Sequence, residues 1–196
     1  MNTRKTLQEL VNHFNLTNCF RVGFTAIKLL AIKIKHSNTI KTKYLYSCSH
    51  STSFRFYKGA HVCIGYRFYT KENVLLAVTE TGTLIVGDYV GFNRNCMIVC
   101  QNYIEIGDYV IFGPDCKIYD HDHDYSKTGK ERTSSYIKGS VKIGNGVWFG
   151  ANCIVLRGTE IGDNCVFGAG CVIKGKYPSN TLVTQERNET HKEIFI

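Results

Sequence analysis

Residues 143 to 173 read IGNGVWFGANCIVLRGTEIGDNCVFGAGCVI, and one apolar residue recurs in them at every sixth position: Ile143, Phe149, Val155, Ile161, Phe167 and Ile173. The same step runs earlier through Val86, Phe92 and Ile98, and, after two extra residues, through Ile106, Phe112 and Ile118. The residue following the apolar one is often Gly. Four residues after it stands a small one: Val90, Cys96, Val110, Cys116, Val147, Cys153, Thr159, Cys165 or Cys171. A period of six is neither the 3.6 of a helix nor, alone, the 2.0 of a strand. It describes a short strand plus a turn. Three such units close a triangular coil, and successive coils stack at the interstrand distance of about 4.8 Å. The apolar residue then points down the axis onto its copies, and the small one fits at a corner where a larger one would clash.

The rest of the composition agrees with a packed core. The chain has 196 residues, 43% hydrophobic and 20% charged, with 2 Pro, which suits neither disorder nor a collagen-like or linker-rich architecture. Its length needs no disulfide or metal to hold a core. The apolar stretch from 20 to 34 is broken by Arg21, Lys28 and Lys33, so it is neither a spanning helix nor a signal-peptide core, and a cytoplasmic location is expected. Nine cysteines form no C-x-x-C pair, and five of them (96, 116, 153, 165 and 171) occupy the small-residue slot. They read as reduced packing residues rather than as a zinc ribbon or a secreted disulfide framework.

The net charge of +8 is unevenly placed. Residues 1 to 60 hold ten Lys or Arg against Glu9 alone, a balance of +9, and the remainder is nearly neutral. No helix-turn-helix, finger or aromatic RNA motif accompanies these cations, so no nucleic-acid partner is expected. Thr3 followed by Leu7, Leu10, Val11 and Phe14 reads as a capped amphipathic helix. Residues 20 to 46 mix apolar and basic residues. They suit either an element covering the open end of the coil, with its lysines in solvent, or a peripheral contact with the anionic inner face of a membrane. The organisation expected is a basic N-terminal cap over 1–58, a coil over 59–178 with a loop extruded at 120–139, and a tail over 179–196.

That loop interrupts the period between Ile118 and Ile143 and carries Asp120-His121-Asp122-His123-Asp124-Tyr125, the densest titratable cluster in the chain. A loop on a rigid scaffold is where function concentrates. From the residues alone, three readings stand: an imidazole general base oriented by a neighbouring carboxylate, a set of oxygen and nitrogen metal ligands, and a solvated turn. If the stretch is extended, His121 and His123 share one face and the three aspartates the other.

The repeat resembles the hexapeptide-repeat transferases over about residues 60 to 180, which implies an all-β fold, a left-handed parallel β-helix with a short N-terminal helical cap. The His-bearing break is similar to the branch of O-acetyltransferases that includes galactoside, maltose and colanic-acid-type enzymes. The resemblance implies acetyl-CoA as cosubstrate, no metal, a sugar or cell-surface polysaccharide intermediate as acceptor, and a homotrimer with sites between neighbouring coils. By the same resemblance His123 is the base, with His121 the runner-up, and Asn93 positions the acceptor. Trp148 flanks the thioester, and the Ala151 amide meets its carbonyl where Gly150 lets the backbone come close. Gly168 and Ala169, with Lys174 and Lys176, form the lower cofactor groove. The tail lacks the family's G-x-P-A-[KR] turn, and Arg187 is its candidate for a phosphate. Two alternatives stand beside this reading. One is a β-helical metal-dependent hydratase, which needs three imidazoles where the repeat region offers His61, His121 and His123. The other is a non-catalytic repeat scaffold.

Overall fold

The computed structural model describes residues 16–35, 39–43, 46–186 and 190–193. Three parallel sheets form the faces of a left-handed β-helix. The first face has seven strands from Ile40–Thr42 to Lys176–Tyr177, the second seven from Ser47–Cys48 to Leu182–Val183, and the third six from Ser53–Phe56 to Val172–Ile173. The register is the one the six-residue period demands. Val86, Ile106, Ile143 and Ile161 align on the first face, Phe92, Phe112, Phe149 and Phe167 on the second, and Ile98, Ile118, Val155 and Ile173 on the third.

The phenylalanines lie one above the next, with ring centroids 4.4, 4.7 and 5.1 Å apart and planes within 9° of parallel. This offset stacking adds to the burial of each ring. The small-residue positions are all buried at the corners. There the thiols of Cys96, Cys116 and Cys153 donate to the carbonyls of Gly113, Gly150 and Gly168 in the next turn, at 3.1, 3.1 and 3.2 Å. Burial pushes the Cys48 thiol up to about 11 and that of Cys100 upward as well, so these sulfurs stay protonated and pack as small hydrophobes.

The corner between the first and second faces shows why Gly and Asp or Asn follow the apolar residue. Tyr66 N–H donates to Asp88 Oδ1 at 2.7 Å, Asp88 N–H to Asp108 Oδ1, Asp108 N–H to Asn145 Oδ1 and Asn145 N–H to Asp163 Oδ1. Each side chain caps the exposed amide of the turn stacked beside it, and the glycine before it leaves room for that contact. A Cβ on Gly107 would lie 2.7 Å from the carbonyl carbon of Gly144.

The coil begins at Ile40 and runs to Val183, not over 59–178 as the period suggests. Its first turn escapes the pattern because the aligned inward slots hold Thr42, Cys48 and, one turn on, Thr70. Extra residues at the corner between the third and first faces also set Ile64 and Val86 22 positions apart instead of eighteen. The open end is covered by helix α1 (Leu16–Lys35). Its Thr25 hydroxyl accepts from the Cys48 N–H at 3.1 Å, Arg21 donates to the Thr70 carbonyl at 2.9 Å, and Lys28 donates to the carbonyls of His50 and Thr52. Leu29 is buried in the core beside them. The expected helix at Thr3 to Phe14 lies outside the described residues. Among the described residues no helix is long and apolar enough to cross a membrane.

Candidate active site

The loop leaves the coil at Asp120, at the corner between the third and first faces. Asp120 has no exposed surface, and its carboxylate accepts the backbone N–H of Gln101 at 2.9 Å and of Asn102 at 2.6 Å, one turn earlier. A buried carboxylate needs such partners. The same Oδ1 takes the Nδ1–H of His121 at 2.9 Å.

From there the chain forms an antiparallel hairpin, His121–His123 against Tyr136–Lys138, closed by the short helix α2 (Gly129–Ser134). The strand is extended, so the two imidazoles share one face as expected. Both pack on the Tyr136 ring, at 5.4 and 4.7 Å between centroids. Asp122 points to the other side and accepts from Arg157 Nε at 2.6 Å, while Lys138 donates to Thr81 Oγ1 and to the Gln101 carbonyl. These three bonds hold the hairpin against the coil. Asp120 departs from the expected alternation: it stays in the coil corner and reaches the ring of its neighbour.

His123 Nδ1 meets the Arg132 carbonyl at 2.9 Å. A carbonyl only accepts, so Nδ1 carries the proton, and in the neutral ring Nε2 keeps its lone pair. The bond of His121 to Asp120 fixes the same tautomer. His123 is exposed, whereas the His121 side chain keeps 12% of its surface. The loop thus presents a preset, accessible acceptor of protons at His123 Nε2, with a second ring held behind it.

The other candidate residues lie elsewhere. Trp148 stands on the outside of the second face, 54% exposed, between Ile111 and Val166 of the adjoining turns. Asn93, Gly150, Ala151, Gly168 and Ala169 line the corner between the second and third faces. At that corner Asn93 Oδ1 caps the N–H of Arg94 at 2.9 Å. Gly150 has no side chain to do the same, and among the described residues the Ala151 N–H has no acceptor. The absence of a Cβ at Gly150 also has a packing cause, since that atom would lie 2.7 Å from the Ala169 nitrogen. Lys174 is exposed past the third face, and Lys176 sits on the first face in an ion pair with Glu160 at 2.9 Å, holding that carboxyl below its ordinary range. Arg187 lies outside the described residues. His61 is exposed on the first face, and among the described residues no three His, Cys, Asp or Glu side chains are grouped to hold a metal ion.

One chain therefore does not assemble these residues. The third face, with strands of two to four residues, lies between the histidine corner and the corner of Asn93 and Ala151. Sequence reasoning missed Arg157 and the Gln101–Asn102 amides. Only the resumption of the period at Ile143, which stacks the next turn against the loop, hints at them.

A family model described as bacterial transferase hexapeptide (six repeats) matches residues 140–175. Over 127 residues the sequence is also 30% identical to the Escherichia coli protein WbbJ, provisionally named a lipopolysaccharide biosynthesis O-acetyl transferase, covering 61% of this chain and 65% of that one. The chain carries the hexapeptide repeat of that transferase model and is similar in sequence to O-acetyltransferases. Over 96 residues this hexapeptide-repeat protein is 38% identical to galactoside O-acetyltransferase of Lactococcus lactis, 49% of this chain and 45% of that one. It spans about half to two thirds of the length of these curated relatives. Among solved structures, a single-site mutant of AntD, an N-acyltransferase from Bacillus cereus, in complex with dTDP-4-amino-4,6-dideoxyglucose and coenzyme A, shares the fold with a TM-score of 0.64 over 81% of this chain and 84% of that one, at 18% identity.

Proposed function

We propose that this hexapeptide-repeat protein transfers an acetyl group from acetyl-CoA to a hydroxyl of a sugar or cell-surface polysaccharide intermediate, in the cytoplasm where that thioester is made. The observation that carries the reading is the exposed His123 ring, whose Nδ1–H is bound by the Arg132 carbonyl, which leaves the lone pair on Nε2. His123 removes the acceptor's hydroxyl proton as the oxygen attacks the thioester carbonyl. The open Ala151 N–H donates to the oxyanion that forms, a contact worth about 3 to 4 kcal/mol in such sites. His123 then returns the proton to the departing thiol, giving an O-acetyl ester and free CoA. Asn93 Nδ2, whose amide oxygen is engaged by Arg94, is placed to hold the acceptor. Gly168, Ala169 and Lys174 line the path of the cofactor arm.

Because the two corners are a full face apart, the base and the oxyanion donor meet when the loop of one copy lies along the second face of another. A trimer supplies three such contacts, and Trp148, Ile111 and Leu182 give that face the exposed apolar surface a contact needs. Thiol release from acetyl-CoA, followed over a panel of sugars and amino sugars, tests the reading. Hydroxyl sugars should be turned over and His123→Ala should be inactive. A wild-type protein that binds no acetyl-CoA sinks the proposal, and turnover confined to amino sugars would replace O-acetylation by N-acylation.

A further inference from the structure

Helix α1 is built the wrong way round for a helix that faces water. Its polar and basic side chains Arg21, Thr25 and Lys28 turn inward and bond to the carbonyls and amides of the coil end. Its outer side carries Phe20, Phe24, Ile27 and Leu30, exposed by 72, 46, 70 and 59%. Every other exposed position from 20 to 32 is Gly or Ala. At 100° per residue these positions fall on one stripe along three turns of helix. A contiguous apolar stripe of this size marks an interaction surface.

The charge around it indicates what covers it. Residues 1 to 60 carry ten Lys or Arg against one Glu, whereas the rest of the chain is close to neutral. Lys33 and Lys35 close the helix in sequence, and Lys41, Arg55 and Lys58 are exposed on and next to the first turn of the coil below it. Apolar side chains inserted at headgroup depth, flanked by cations, are the requirements of a helix that lies in the plane of an anionic bilayer. No described helix is able to span one. A contact with a second copy of this chain would bring two +9 segments together and is disfavoured by their repulsion.

We propose that the outer face of α1 seats this protein on an anionic phospholipid surface, with Phe20, Phe24, Ile27 and Leu30 inserted and the basic N-terminal third held by the headgroups. The coil then stands on the membrane by its N-terminal end, and the histidine loop, three turns further along the axis, faces the aqueous side. This inference does not depend on the acetyl-transfer reading.

The test uses the full chain and large unilamellar vesicles of phosphatidylcholine, with and without about 30% phosphatidylglycerol. Cosedimentation with the anionic vesicles is expected, with little on the neutral ones, and the bound fraction should fall several-fold between about 0.1 and 0.5 M NaCl. The double variant Phe24→Ser, Ile27→Ser should partition about tenfold less or worse, with an unchanged circular dichroism spectrum, because both side chains already face outward. Lys41→Glu with Lys58→Glu keeps the apolar face and should weaken binding to anionic vesicles alone. Absence of binding to anionic vesicles overturns the proposal. So does a double variant that binds vesicles like wild type but loses a larger assembly in light scattering, which would assign the face to a protein contact.

Discussion

Asp120 and His121 are bound side chain to side chain at 2.9 Å, and the carboxylate making that bond is fully buried while it also accepts two backbone amides from the preceding turn. The residue that orients the imidazole is therefore also the one that closes the coil where the loop leaves it. Asp120→Ala strips two part-buried N–H groups of their acceptor, at up to about 1 to 3 kcal/mol each. For a chain of this size the expected loss in Tm is about 5 to 15 °C, read by thermal denaturation. Asp120→Asn keeps one amide acceptor and should fall between wild type and Asp120→Ala. A variant Asp120→Ala with wild-type Tm would show that the amides find other partners.

The two histidines should separate in kinetics. His123 is exposed with Nε2 free, and removing a general base costs about 10²- to 10⁴-fold, so His123→Ala should lose kcat by that order with little change in Tm. His121 sits behind it against Tyr136 and Asp120. His121→Ala should lower kcat by a smaller factor, and Tyr136→Phe, which keeps the ring against both imidazoles, should stay near wild type. Steady-state kinetics with acetyl-CoA and the acceptor identified by the sugar panel decide it. If His121→Ala is inactive and His123→Ala is not, the base is the ring held by Asp120.

The fold was legible wherever the inward slot was apolar. Phe92, Phe112, Phe149 and Phe167 announce their register by spacing alone, and the interruption at 120–139 costs the register nothing, because Ile143 falls back on Ile106. The first turn was hidden by Thr42, Cys48 and Thr70, polar or small residues in the same slot, which a period of hydrophobicity does not count. The shared face of His121 and His123 followed from strand geometry. The burial of Asp120 did not, since its amide partners at 101 and 102 lie one turn away. The same limit explains Lys176: its neighbour Glu160 is adjacent only across turns. Contacts between turns depend on the exact residue count of each corner, and this chain varies those counts.

The corner ladder predicts a pH dependence. The Tyr66 N–H, and after it Lys43 at 3.0 Å, holds the Asp88 carboxyl below the usual carboxylate range. A lowered native pKa means that the folded state resists protonation more than the unfolded chain does. Its stabilisation is complete above the ordinary carboxylate range and is lost as the pH falls through the lowered native value. Asp88→Asn retains an oxygen for the Tyr66 N–H, as Asn145 does for Asp108, but does not titrate. Wild type should be the more stable of the two at neutral pH, and the difference in Tm should shrink toward zero in acid. A difference that stays constant from pH 7 to pH 3 would mean that the carboxylate's charge contributes nothing.

Gly150 and Gly168 occupy equivalent corners in successive turns, and both were expected to admit a cofactor, yet they should respond differently to a methyl group. A Cβ at Gly150 meets backbone, the Ala169 nitrogen at 2.7 Å, whereas at Gly168 the nearest atom is Cγ2 of Thr184 at 3.2 Å, the movable end of a side chain in the last turn. Neither glycine has a positive φ, so conformational strain does not enter and the comparison isolates the clash. Overpacking of this kind costs about 1 to 3 kcal/mol, so Gly150→Ala should lower Tm by several degrees while Gly168→Ala stays close to wild type. Acetyl-CoA affinity, measured by calorimetry on both variants, separates packing from binding. Gly150→Ala with wild-type Tm and lost affinity would return that glycine to the ligand, and the contact with Ala169 would then have to relax without cost.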